Sequence, residues 1–169
     1  MASEPERLRH LEDRVAALEE QARAHPAPAG EAVPDAEKFW ALAGLKERSG
    51  GAGAVLFTGA VTLPTEERVE WQQGFEAESL LGTDWSDLSD VLGSLAHPVR
   101  LAVLRAVLDG VRTVADLGGL EGLGTSGQLY HHLRQLVASG WLRSTGRGRY
   151  DVPAVRVVPL LVILAAAQR

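Results

Sequence analysis

Thr125-Ser126-Gly127-Gln128-Leu129-Tyr130-His131-His132-Leu133-Arg134-Gln135-Leu136-Val137-Ala138-Ser139-Gly140 combines a helix cap, a helical apolar period and a helix stop. Thr125 suits a helix cap, because its hydroxyl can accept from a backbone N–H two or three residues on. Ser139-Gly140 suits the stop, glycine tolerating the left-handed turn that ends a helix. At about 100° per residue, Leu129, Leu133, Leu136 and Val137 share one arc and are expected to face a core. Gln128, His131, Arg134 and Gln135 take the opposite side with Gly127 and Ala138. A face that meets only water more usually carries Lys and Glu. This one carries donors, no acid, and two small residues that allow another surface to approach. His132 lies at the margin beside Thr125 and is read as a structural hydrogen-bonding residue.

Downstream, Trp141-Leu142-Arg143-Ser144-Thr145 and Tyr150-Asp151-Val152 flank Gly146-Arg147-Gly148-Arg149, which predicts a hairpin with a basic, glycine-rich tip. Arginine at such a tip can enter a narrow minor groove or clamp phosphates, whereas the bland alternative is an ordinary exposed turn. Upstream, Thr113-Val114-Ala115-Asp116-Leu117 is a short helix, and Gly118-Gly119 and Gly122 to Gly124 are turn material. Before it, His97-Pro98 starts a helix through Val99, Leu101, Val103, Leu104, Val107 and Leu108 to Asp109-Gly110, with Pro98 where its missing N–H costs nothing. Arg100 sits in the first turn of that apolar helix and is expected to leave the core for an acid or a phosphate. Leu88, Val91, Leu92 and Leu95 form the stripe of a preceding helix. Two helices joined by a glycine turn, the second polar on its outer face, are the parts of a helix-turn-helix.

Leu95-Ala96-His97-Pro98-Val99-Arg100-Leu101-Ala102-Val103-Leu104, Thr113 to Leu117, and Tyr130 to Leu142 together resemble the ArsR-like winged-helix regulators. The resemblance covers about 70 residues. It implies a winged helix-turn-helix fold, with Gln128, His131, Arg134 and the Arg147/Arg149 wing as DNA contacts. Taken with the residue patterns, the expected contact set to double-stranded DNA is Thr125, Ser126, Gly127, Gln128, His131, Arg134, Gln135, Arg143, Arg147 and Arg149. Metal-sensing members place cysteines on the helix matching Thr113–Leu117, or carboxylates and histidines on the terminal helix. Here the first has no cysteine and the second, Val155 to Ala167, is nearly all apolar, so metal sensing is not expected.

The terminal stretch Val157 to Ala167 is too apolar to stand in water. It either packs on its own domain or pairs with a second subunit through Leu160, Leu161 and Leu164. The family resemblance suggests the pairing, and a two-fold homodimer would present two recognition helices one DNA turn apart. At the other end, Leu8, Leu11, Val15, Leu18 and Ala22 follow a coiled-coil spacing. Such a short repeat is marginal alone, so it dimerises through Leu8, Leu11, Val15 and Leu18 or folds back on the body. His25 to Gly30 reads as linker. Phe39 to Leu45 has helical spacing, stopped by Ser49-Gly50-Gly51. Val55, Phe57, Val61 and Leu63, a turn at Pro64 to Glu67, and Val69, Trp71 and Phe75 then read as a hairpin that packs on the Phe39 helix or on the C-terminal domain. Trp40, Phe57 and Trp71 either form plain core or line a small-molecule pocket.

The expected fold class is therefore α+β, mainly α: a winged helix-turn-helix domain preceded by a short coiled-coil helix and a helix plus β-hairpin. The segments are a helix over 1–24, a linker over 25–34, a helix plus hairpin over 35–84, and the main domain over 85–169. The net charge of −5 is uneven. Residues 1–85 hold 8 Lys/Arg against 16 Asp/Glu, and residues 86–169 hold 9 Arg against 6 Asp/Glu. Local charge sets the field a phosphate meets. The chain has no cysteine, and no carboxylate pair is set against a histidine at catalytic spacing, so no enzyme, metal or cofactor is expected. No segment reaches the roughly 20 apolar residues of a membrane span, and no basic apolar leader is present, so a cytoplasmic protein without membrane contact is expected. The reading is a DNA-binding transcriptional regulator. The alternative is a winged-helix interaction module or adaptor that binds another regulator through the acidic N-terminal half, and that half is also where a small-molecule or protein effector is expected.

Overall fold

The computed structural model describes Arg14, Val15 and residues 38–168. The chain divides into two compact units, Met1–Gly44 and Leu45–Arg169. In the first, Arg14 and Val15 are helical and Val15 is exposed. Leu8, Leu11 and Leu18, and the linker over 25–34, lie outside the described residues. Helix α1, Trp40–Ser49, buries none of its side chains and ends where Gly50 and Gly51 turn left-handed.

In the second unit, β1 (Ala54–Thr62) and β2 (Arg68–Glu76) pair antiparallel, with Val61 opposite Val69, Gly59 opposite Trp71 and Phe57 opposite Gln73. The period of two puts these six residues on one face, which packs on the terminal helix α7, Ala154–Ala166. Gly59 makes that packing close: a Cβ there would lie 2.8 Å from Cγ1 of Val158, which is fully buried. The hairpin is thus built into the same body as the residues after it. Of the two supports expected for it, the hairpin takes the C-terminal one, because an isolated hairpin has no core of its own and borrows one from α7.

Helix α2 (Ala77–Gly82) leads through a 3₁₀ turn (Trp85–Leu88) to α3 (Ser89–Gly93). The continuous helix expected through Leu88, Val91, Leu92 and Leu95 is therefore broken. Asp84 caps the 3₁₀ turn by accepting from Ser86 N, and past α3 the carbonyls of Gly93 and Ser94 accept from Arg100, Gly93 O also from Ala96 N at 3.1 Å. Leu95 is buried, but Leu88 and Leu92 are exposed.

Helix α4 (Pro98–Leu108) starts as its sequence predicts, with Pro98 in the first turn and His97 Nδ1 accepting from Val99 N at 3.2 Å. Then follow α5 (Val114–Gly118), α6 (Ser126–Ala138), and the antiparallel pair β3 (Arg143–Gly146) and β4 (Arg149–Asp151). One core joins them. Leu104 and Val107 of α4, Leu117 of α5, Leu129, Leu133 and Leu136 of α6, Trp141, and Val157 and Leu160 of α7 are all sealed from solvent. The result is a mixed α and β fold holding two separate two-stranded sheets.

Two side-chain assignments change. Leu160, expected at a subunit interface, is only 1% exposed within its own chain, because α7 turns Val157, Val158 and Leu160 inward. Val137, expected in the core arc of α6, sits at its edge and is exposed. No single helix among the described residues is long and apolar enough to cross a membrane.

Candidate nucleic-acid interface

Helix α6 opens with a complete capping box. Gln128 N is held by Thr125 Oγ1, and Gln128 Oε1 in return accepts from Thr125 N at 2.9 Å. The cap fixes where the helix begins and so which side chains point outward. Leu129, Leu133 and Leu136 face the core, which turns Gly127, His131, Arg134 and Ala138 directly away from it. Those four residues form the centre of the exposed strip, and Ser126 and Thr125 mark its N-terminal end.

The two glutamines expected on this face are partly spent elsewhere. Gln128 Oε1 belongs to the cap, and Gln135 Oε1 accepts from Arg100 Nη1 at 2.6 Å. Both lie on the flank of the strip nearest the core. Arg100 in turn finds no acid: its guanidinium holds Gln135, Gly93 O and Ser94 O, tying α4, the end of α3 and α6 together. The ion pair expected for Arg100 is replaced by Gln135 and by the backbone carbonyls of Gly93 and Ser94 where α3 ends. The opposite flank presents Tyr130, 47% exposed, one helical turn before Arg134. The periodicity already put Tyr130 outside the leucine arc, so its outward position was readable as part of this face.

The β3–β4 hairpin is fixed to α5 by its outer edge. Val114 N donates to Gly148 O at 3.0 Å, Tyr150 N donates to Arg112 O at 2.8 Å, and Thr113 bridges to Arg149. Gly146, Arg147 and Gly148 all take positive φ, so the tip is a left-handed turn in which the non-glycine Arg147 is held at φ 50°. Arg147 and Arg149 are exposed, and their guanidinium groups make no hydrogen bond or ion pair among the described residues. Arg143 differs. It lies directly opposite Asp151 and its Nη2 pairs with that carboxylate at 2.9 Å, so its charge is largely answered within the hairpin. Cross-strand register, which the sequence alone did not reveal, makes this pair.

His132 is not the hydrogen-bonding residue expected of it. Its ring lies against His97, centroids 4.6 Å apart, and its Nδ1 is buried with no hydrogen-bond partner among the described residues. Burial, and then the neighbouring His97, Arg100 and His131, hold its pKa below the usual 6.5. An unfolded chain therefore binds the His132 proton at a higher pH than the folded one. Stability carried by neutral His132 is complete above pH 6.5 and declines as pH falls below it toward the folded value. Thermal unfolding followed from pH 7.5 to 5 is expected to show His132→Gln losing less stability on acidification than the parent. Identical pH profiles would assign the acid sensitivity elsewhere.

Of the three residues considered for a ligand pocket, Phe57 and Trp71 line one cavity of about 550 Å³. Trp40, on α1, belongs to the first unit and is 68% exposed. Among the described residues no three His, Asp or Glu side chains gather as a metal site. Leu161 and Leu164, by contrast, line a separate apolar groove of about 600 Å³ with Val61, Leu63, Leu101 and Leu108. No family model and no curated protein matches the chain.

Proposed function

We propose that residues 88–153 form a winged helix-turn-helix unit that binds double-stranded DNA and acts in transcriptional regulation. In this reading α6 enters the major groove with Tyr130, His131 and Arg134 toward the base edges, and the β3–β4 tip is the wing, its arginines on phosphate or in the minor groove. One observation carries the reading. An acid-free helix strip and two uncompensated arginines on a glycine turn belong to elements that share a core, and the hairpin is hydrogen-bonded to Val114 at the head of α5. Gly127 and Ala138 in the strip permit close approach of a groove wall.

The direct test is titration of the protein against duplex fragments from its own upstream region and against random duplex, at rising salt. Affinity that favours one fragment and falls steeply with salt is expected, because each phosphate contact releases condensed counterions. Salt-insensitive binding, or no duplex affinity at micromolar protein, would leave the same surface as a protein-interaction module.

The protein acts as a homodimer in this proposal. The support is Leu164, still 38% exposed after α7 has buried its other face, beside Leu161 at the apolar groove of α4. Leu164→Asp is expected to give a monomer with greatly weakened duplex binding, since one recognition helix makes half the contacts. Sedimentation of the parent as a monomer at tens of micromolar, with full duplex affinity, would remove the dimer from the proposal.

A further inference from the structure

We propose that the cavity between the β1–β2 hairpin, α3 and α7 binds a small organic monocarboxylate with an apolar body, the carboxylate on Arg156 and the body among aromatic side chains. The volume, about 550 Å³, lies within the usual range for small-ligand sites. Phe57, Phe75, Leu88, Leu92 and Ile163 supply apolar walls, which explains why Leu88 and Leu92 are left exposed where a core stripe was expected. Phe57 and Phe75 pack ring against ring, centroids 6.4 Å apart and planes 29° from parallel.

Charge fixes the ligand class. Arg156 is the single charged side chain lining the cavity, and no carboxylate lines it. Its guanidinium rests over the Trp141 ring at 5.0 Å, which orients it, yet it makes no hydrogen bond or ion pair among the described residues. The planar donor fork is thus held in place and unanswered, a match for a planar carboxylate. Gln73 adds a second donor. Its Oε1 is engaged by Trp71 Nε1 at 3.3 Å, which leaves its NH₂ group for the ligand. One positive charge among apolar walls fits a single negative charge on a hydrophobic body and disfavours a multiply charged anion, whose remaining charge would be desolvated without a partner.

The regulatory consequence rests on the DNA-binding proposal; the binding itself does not. Trp141 lines the cavity and its backbone N–H donates to Leu136 O at the end of α6, so a ligand held on Arg156 over the indole sits next to the recognition helix.

Calorimetric titration of the full chain, without DNA, with 4-phenylbutyrate and with the matched alcohol 4-phenylbutan-1-ol tests the proposal. The acid is expected to bind saturably and about tenfold or more tighter than the alcohol, the usual range for a charge-assisted pair. Arg156→Gln is expected to remove the difference while leaving the alcohol unchanged. Equal binding of acid and alcohol to the parent, or no saturable heat from either, overturns the proposal without any variant, and so does an Arg156→Gln protein that keeps the preference. Because no DNA is present, these outcomes are independent of duplex binding.

Discussion

Trp141→Ala is expected to lower the folding free energy by about 3–5 kcal/mol, read as a fall in the midpoint of urea unfolding. The indole is 1% exposed and lies where the chain leaves α6 for β3, among Leu136, Leu142 and the buried face of α7. Truncation opens a cavity that those neighbours cannot close, because each already packs against another element. It also strips Val91 O of the Nε1–H that reaches it at 2.9 Å and leaves Arg156 without the ring beneath it. Trp141→Phe separates the contributions: it retains most of the volume, loses the hydrogen bond, and is expected to cost about 1 kcal/mol from that bond in addition to the lost area. A Trp141→Ala protein as stable as the parent would mean that α3 and α7 are not joined through this side chain.

The double variant Arg147→Ala/Arg149→Ala is expected to reduce the slope of log affinity against log salt by about 1.8, close to 0.9 for each lost phosphate contact. Its stability should match that of the parent, since neither guanidinium has a partner among the described residues and the tip is held by Gly148 O and the backbone of Tyr150. The effect would then fall on duplex binding alone, on specific and random duplexes alike if both arginines rest on phosphate. A loss confined to one sequence would instead place an arginine in a minor groove of particular width. Arg143→Ala serves as the contrast: its charge is already paired with Asp151 at 2.9 Å, and it is expected to change the slope less. An unchanged slope in the double variant would remove the wing from the proposed interface.

Helix α6 shows how much was readable in advance. Its start, its stop and its buried leucines follow from Thr125, Ser139-Gly140 and the spacing of Leu129, Leu133 and Leu136, because capping and periodicity are local properties of the chain. The same holds for Pro98 and His97 at the head of α4, for Thr113 before α5, and for both hairpins, whose turns are encoded by neighbouring residues. The uneven charge and the exposed arginines of the glycine tip were equally plain.

Local properties of the chain thus set where the elements lie, which side of each is apolar, and which half is basic. The tertiary structure alone decided which polar side chains remain free. Gln135 accepts from Arg100 of a distant helix, Arg143 faces Asp151, and His132 lies against His97. It also decided that Leu160 seals the core while Leu164 stays outside, and that the first hairpin lies on α7 through Gly59. Periodicity fixes the direction of a side chain from its own helix or strand, but its partner is whatever another element brings to that point, and that is set by how the cores close-pack.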